Sequence, residues 1–311
     1  MFKYFFQLIL FLSIPNFLLA DNERILKKIS PNVFAYAGVT NASPSANSFG
    51  ANCGVIIGKE AVLIIDTLVS AKEAQKLKDD VKKVTDKPIR YVVNTHYHLD
   101  HSWGNVVFVN DGAIVIGHEN SRLAAPRSEY AYKHFSDFGL TENDMQGTIL
   151  KYPTITFQNA MRIDLGGTIV DLSFPGPSHT DGSIIVDIPS DKVMFLGDLL
   201  FTHYHPYISE GNLESWQIIL ADLEKKISSD YLIIPGHGPV STLTDIKNMK
   251  DYIADFDANA KKICAGKTQN DAAALTKELL KLLPEQGRNE MAALVESNLR
   301  EKYLPVAALQ K

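Results

Sequence analysis

Thr95-His96-Tyr97-His98-Leu99-Asp100-His101 packs four metal-capable side chains into six residues, directly after an apolar strand-like segment, Ile89–Asn94. In extended backbone, residues i and i+2 project to the same side. His96 and His98 can then grip one ion, Asp100 continues the alternation, and a turn after it points His101 at a neighbouring position. Imidazole nitrogen and carboxylate oxygen suit zinc and other borderline divalent metals. The bland alternative is a solvated loop whose histidines cap backbone carbonyls. It would explain one isolated histidine better than this cluster.

Two further histidines sit at strand ends among glycines. Gly176-Pro177-Ser178-His179-Thr180-Asp181-Gly182 is one such segment and Pro235-Gly236-His237-Gly238-Pro239 the other, with Phe195-Leu196-Gly197-Asp198-Leu199 between them. These clusters take five of the nine histidines. No G-x-S-x-G elbow offers a serine nucleophile. Gly266-Lys267-Thr268 lacks the upstream glycine of a P-loop and reads as a helix break.

Outward from the heptapeptide, strands and helices alternate. Asn32–Gly38, Cys53–Gly58 and Ala61–Asp66 read as strands, the last two joined by a Gly58-Lys59-Glu60 turn. Ser70 caps an amphipathic helix reaching about Val84, with Ala71, Ala74, Leu77 and Val81 on one face. Ala113–Gly117 is another strand, and residues 119–148 read as short surface helices. The second half offers strands at Arg162–Asp164, Thr168–Phe174, Ser183–Ile188, Lys192–Leu196 and Tyr231–Ile234, with a helix at Leu213–Ile227. Thr40–Asn52, small and polar, reads as a flexible loop. Cys53 falls in a buried strand and reads as an inert core cysteine, although pairing with Cys264 is open.

The chain has 311 residues, 45% hydrophobic and 22% charged, with a formal net charge of −5. That balance fits a globular protein with an ample core and argues against nucleic acid as a partner. Two cysteines exclude a disulfide scaffold. Residues 1–20 carry one charge, Lys3, then an apolar stretch broken at Pro15 and Asn16 and closed by Ala20. This is the pattern of a cleaved signal peptide, so the protein is expected to be exported, to the periplasm in a cell with an outer membrane, with no stable membrane span after signal removal. Residues 21–240 then form the main domain, and 241–311 a helical C-terminal extension packed on the same unit.

H-x-H-x-D-H, then G-x-S-H-T-x-G, G-D and P-G-H-G-P, in this order over about residues 32–240, resemble the metallo-β-lactamase superfamily. The resemblance implies an α/β fold, an αββα four-layer sandwich of two mixed sheets flanked by helices. It implies two Zn2+ ions, with iron or manganese as other occupants. His96, His98 and His179 would bind the first ion, and Asp100, His101 and His237 the second. Asp198 would bridge them, Asp100 would also orient the nucleophile catalytically, and Asp66 would support the ligand loop from behind. A shared water, acidified by the metals, would attack a carbonyl substrate.

Comparison within the superfamily narrows the expectation. Di-iron redox members usually carry Glu where this chain has His98. One major zinc β-lactamase class has Cys in place of Asp198 and Lys three positions on, where Phe201 stands here. Gly197-Asp198-Leu199-Leu200-Phe201 resembles the glyoxalase II branch, but Thr202-His203-Tyr204-His205-Pro206 replaces its Cys-Gly-Arg element. The stretch through Gly211–Trp216 is most similar to exported hydrolases associated with quinoprotein or sulfur-oxidation gene clusters. His203 and His205 read either as pocket lining or as a surface turn. Phe49, in the loop corresponding to the zinc β-lactamase flap, either closes over an apolar substrate face or marks a hairpin tip. The leading function is a dinuclear zinc hydrolase of a small-molecule β-lactam, lactone or thioester-like carbonyl. The alternatives are a mononuclear iron persulfide dioxygenase-like oxidoreductase and a catalytically idle periplasmic binding protein.

Overall fold

The computed structural model describes residues 24–284 and 290–305; the segment read as a signal peptide lies outside them. Twelve strands among these residues form two sheets. The first holds β1 (Lys27–Lys28), β2 (Val33–Tyr36), β3 (Cys53–Ile57), β4 (Val62–Ile65), β5 (Ile89–Val93), β6 (Ile114–His118) and β7 (Ile155–Phe157), in that spatial order. The second runs β12 (Leu232–His237), β11 (Val193–Phe201), β10 (Ile185–Ile188), β9 (Ile169–Ser173), β8 (Ala160–Asp164). Hairpins make β1 to β4 antiparallel, and helical crossovers make β4 to β7 parallel.

Alternation along each strand builds the layers. Leu63 and Ile65 of β4 face the second sheet and pack with Leu172, Val186 and Phe195. Val62 and Ile64 point the other way, onto Ala74, Leu77 and Val81 of the helix Ala71–Val84. With both faces covered, β4 reads as an unbroken apolar run, Val-Leu-Ile-Ile. That helix starts where Ser70 Oγ accepts from Glu73 N and places Lys82 and Lys83 in its last turn, matching the helix dipole. On the far side, Leu196, Leu199 and Leu200 pack against Trp216 and Leu220 of the helix Leu213–Lys226 and Met249, Tyr252 and Phe256 of the helix Leu243–Ile263. The order helix, sheet, sheet, helix is the expected four-layer sandwich.

Three details differ from the sequence reading. β11 does not stop at Leu196 but continues to Phe201 across register shifts on either side of Gly197. Thr40–Asn52 is built rather than loose: Pro44–Asn47 is a helical turn followed by a 3-10 turn, Ser48–Gly50. Buried Asn47 holds it, its Oδ1 accepting from Ser43 N and Gly50 N. β1 and β7 are edge strands of two and three residues, too short to leave a periodic signal. Cys53 and Cys264 are both free and buried, in different core clusters. Among the described residues no helix is long and apolar enough to cross a membrane.

Candidate metal centre

β4 and β5 run parallel, as do β9, β11 and β12, so their carboxyl ends open on one rim of the sandwich. Asp66 follows β4, the heptapeptide follows β5, His179 lies beyond β9, Asp198 is inside β11 and His237 ends β12. Two groups of donor atoms converge there, each within 4.8 Å of its fellows: His96, His98, His179 and Asp198, and Asp100, His101 and His237.

The heptapeptide is not the extended ladder expected. Residues 95–97 bend and a short helix, Leu99–Ser102, begins immediately after His98. Asp100 therefore leaves the His96/His98 side and shares a helical turn with His101, both in the second group. Ser102 Oγ donates to the carbonyls of Tyr97 and His98, tying that turn back.

Asp198 stands between the groups with one oxygen for each. Its Oδ2 lies 3.2 Å from His179 Nε2 and 3.8 Å from His96 Nε2. Its Oδ1 lies 3.1 Å from His101 Nε2 and 3.5 Å from His237 Nε2. Backbone irregularity aims it: Gly197 adopts φ +50°, and a Cβ there would come within 2.6 Å of Thr95 Oγ1. A Cβ on Gly236 would overlap Asp198 Oδ1, so only glycine fits before His237.

Each of the five rings spends one nitrogen outward. His96 Nδ1 donates to Thr95 Oγ1 (3.1 Å), which itself donates to Asp66. His98 Nε2 donates to Glu210 Oε1 (2.6 Å), and His179 Nδ1 to the Tyr207 carbonyl (3.0 Å). His101 Nδ1 donates to Asp66 Oδ2 (2.8 Å), and His237 Nδ1 to the Phe49 carbonyl (3.2 Å). These acceptors assign the tautomers, and the remaining nitrogens turn inward as lone pairs. His98 Nδ1 and His179 Nε2 meet at 2.9 Å, and His101 Nε2 and His237 Nε2 at 3.4 Å.

Lone pairs and carboxylates facing one another need a cation. Buried His96 Nε2 and Asp198 Oδ1 are left without a hydrogen-bond donor or acceptor when His101 Nε2 presents its lone pair. Two ligand atoms of a tetrahedral ion at ~2.0–2.1 Å lie about 3.3 Å apart, and the separations quoted bracket that value. A divalent ion therefore fits each group.

Titration behaviour carries the same signature. Burial and the neighbouring His101 push His96 well below the ordinary histidine range, and burial takes His179 down to about 4. Burial disfavours a charged His101 too, but Asp198, Asp100 and Asp66 outweigh it and hold His101 well above that range. His237 is raised to about 9 in the same way, mainly by Asp198 and Asp100. A proton is drawn in where a cation belongs.

Asp66 sits at φ +59°, a costly conformation for a non-glycine residue. Its carboxylate accepts from Thr95 N, Thr95 Oγ1 and His101 Nδ1, all at 2.8 Å. Phe201, three residues after Asp198, is buried with its ring parallel to His237 at 5.1 Å. Trp216 lies 5.6 Å from His179. This flank is buried and aromatic.

The remaining named residues are placed less directly. Half-buried Phe49 packs its ring against the cluster of Val69, Trp103, Leu140 and Met145 while its carbonyl reaches His237. His203 is exposed, at φ +65°. His205 is buried, its Nδ1 2.7 Å from Tyr252 Oη, among core residues rather than beside the donors. Sequence reasoning missed Glu210. Its carboxylate receives His98, Tyr97 Oη (2.6 Å) and Arg127 Nη1 (2.8 Å). Burial would raise its pKa, but the bonds from His98 and Tyr97 take it down to about 2. A lone glutamate in an irregular loop carries no spacing signal.

The family profile described as Metallo-beta-lactamase superfamily matches residues 47–238. A metallo-beta-lactamase type 2 of Elizabethkingia meningoseptica is 20% identical over 244 residues, 76% of this chain and 87% of that one. The metallo-beta-lactamase IND-1 of Chryseobacterium indologenes is 28% identical over 192 residues, 61% of this chain and 72% of that one. Among solved structures, a metallo-beta-lactamase from Pontibacter korlensis superposes with a TM-score of 0.60 at 21% identity, covering 75% of this chain and all of that one. With the profile spanning most of the sandwich and every donor group inside it, the chain is an enzyme of the metallo-beta-lactamase superfamily.

Proposed function

We propose that the protein is a dinuclear zinc hydrolase that opens a carbonyl substrate of the β-lactam, lactone or thioester type, exported after loss of residues 1–20. Residues 21–240 form its catalytic unit, and 241–311 a helical extension on the same body. The observation that carries this reading is Asp198, one buried carboxylate giving one oxygen to each of two donor groups.

His96, His98, His179 and Asp198 would hold one ion, and Asp100, His101, His237 and Asp198 the other. When bound, the pair supplies hydroxide from water near neutral pH and Lewis-acid stabilisation of developing negative charge. The protein contributes orientation. Outward N–H bonds to Thr95, Glu210, Tyr207, Asp66 and Phe49 lock each ring so that its inner nitrogen is presented unprotonated. Asp100, whose Oδ2 lies 3.3 Å from His237 Nε2, is placed to orient a water and hold its proton. Phe201 and Trp216 exclude bulk water from one flank and strengthen the electrostatics within.

Phe201 also bears on the substrate. With an aromatic wall in place of a lysine, β11 offers no cation there for a substrate carboxylate, which favours neutral lactones or thioesters over carboxylate-bearing β-lactams. The test is a hydrolysis panel of all three classes with the zinc-loaded mature chain. Turnover abolished by chelation and by Asp198→Ala is expected. Full turnover in Asp198→Ala, or oxygen uptake with a persulfide and no hydrolysis, would overturn the reading.

A further inference from the structure

The loop Thr202–Gly211 joins β11 to the helix Leu213–Lys226 and supplies outer contacts to two rings of one donor group. The Tyr207 carbonyl takes His179 Nδ1, and the Glu210 carboxylate takes His98 Nε2. Inside the loop Gly211 N donates to Ile208 O, and many further bonds reach the loop from outside.

The holder is the C-terminal segment, beyond the stretch that the family profile matches. Asn298 is fully buried and uses both ends of its amide on the loop. Its Oδ1 accepts from Ile208 N (2.8 Å) and Ser209 Oγ (3.1 Å), and its Nδ2 donates to the Pro206 carbonyl (2.8 Å). Lys302 Nζ donates to the carbonyls of Ser209 (3.2 Å) and Gly211 (2.8 Å), on either side of Glu210. Tyr207 Oη donates to Glu301 (2.7 Å), and His205 N to the Glu290 carbonyl (3.0 Å). The nearest supports of the other donor group are reached by neither Asn298 nor Glu210: His101 rests on Asp66, and His237 on Phe49, in a loop that the Glu290 carboxylate ties through Asn41 N and Ala42 N.

We infer that Asn298 and Glu210 are positioning residues for the His96/His98/His179 group, so that through these two residues the loop Thr202–Gly211 tunes one metal position and not the other. The inference rests on the two-ion reading above. Asn298 acts at a distance: it fixes the loop, the loop places Glu210 and the Tyr207 carbonyl, and these fix which nitrogens of His98 and His179 face inward. Tyr97 and Arg127 hold the second oxygen of Glu210, so the carboxylate cannot swing away.

The test is a titration of the metal-free mature chain with Co2+ and with Zn2+ against a chromophoric chelator, following the cobalt spectrum. Wild type, Glu210→Gln, Asn298→Ala and the double variant are compared. One of two binding steps is expected to weaken by about 10- to 100-fold in each single variant, with the other step unchanged. The double variant should lose less than the product of the two single losses, since Asn298 acts partly through Glu210. Asn298 is buried, so its variant is first checked for an intact circular dichroism spectrum; Glu210→Gln, nearer the surface, decides the matter if Asn298→Ala fails to fold. Both steps unchanged, or both weakened equally, would overturn the inference. If wild type takes up a single ion, the two-ion reading fails on its own, and the clamp is then judged on that ion: weakened in Glu210→Gln supports it, unchanged refutes it.

Discussion

The two donor groups share a heptapeptide and a bridging carboxylate, yet they are secured by different means. Asp100, His101 and His237 are backed by Asp66, a buried carboxylate at the end of β4 held in a left-handed conformation, and by the carbonyl of Phe49. Asp66 is buried at the rim of the first sheet, and the half-buried Phe49 sits in a loop tied by Glu290. His96, His98 and His179 rest partly on Thr95 and partly on a loop that the C-terminal segment clamps, with Glu210 half-exposed at its edge. The charges differ too. One group holds three imidazoles, two of them pushed towards neutrality, and the other mixes imidazole with carboxylate and draws protons in the absence of a cation. The two groups thus differ in what orders them: His101 leans directly on Asp66 at the end of β4, and His98 and His179 lean on a loop tied by Asn298.

Removing Asp198 should erase the distinction. Asp198→Ala strips an oxygen from both groups and is expected to lower zinc content and turnover by more than the ~100-fold typical of losing an outer support, measured by elemental mass spectrometry and steady-state assay. Asp66→Asn should act unequally on the two groups, since His101 bonds Asp66 directly and His96 reaches it only through Thr95. It weakens binding at the Asp100/His101/His237 position by about 10- to 100-fold and at the other position by less, and costs about 2–3 kcal/mol in denaturant unfolding, because Thr95 and His101 lose a charged acceptor. Phe201→Lys asks whether the aromatic wall is an anchor site in disguise. Burying an ammonium against His237 should lower the melting temperature, by about 2–3 kcal/mol of stability, without improving KM for carboxylate-bearing substrates.

A smaller effect is expected away from both donor groups. Asp187 on β10 has a buried Oδ1 without a partner, and burial with the neighbouring Asp171 raises its pKa from 3.8 to about 6. A raised carboxyl binds its proton more tightly in the folded state, so the folded protein loses stability as pH climbs from 4 to 6 and stays lower above that. Asp187→Asn should therefore be neutral near pH 4 and stabilise by about 1 kcal/mol at pH 7.5, after allowance for its partial exposure, with zinc binding unchanged. A gain at pH 4 would contradict this.

The sequence made the donors visible because metal chemistry concentrates rare side chains at short spacings. His96, His98, Asp100 and His101 announce themselves, and glycines mark His179 and His237. The helix Ala71–Val84 was legible from Ser70 and its apolar face, and β4 from its continuous hydrophobic run. The continuation of β11 past Gly197 was not, since a glycine-aspartate pair reads as a strand end when only the tertiary fold shows that it is a bulge. Glu210 was illegible for a related reason. Its role depends on a loop whose shape is set by Asn298, 88 positions away, through contacts that no local pattern encodes. The loop Thr40–Asn52 looked loose because its order comes from one buried side chain, Asn47, and from the Glu290 carboxylate, which accepts from Asn41 N and Ala42 N.

The central claim is that Asp198 joins two metal positions. Its most direct test is the metal content of the purified mature chain, residues 21–311, without added metal, beside that of Asp198→Ala. The account predicts about two zinc ions per chain in the wild type and a loss of both or nearly both in the variant. One iron per chain in the wild type, or two zinc ions retained by Asp198→Ala, would contradict it.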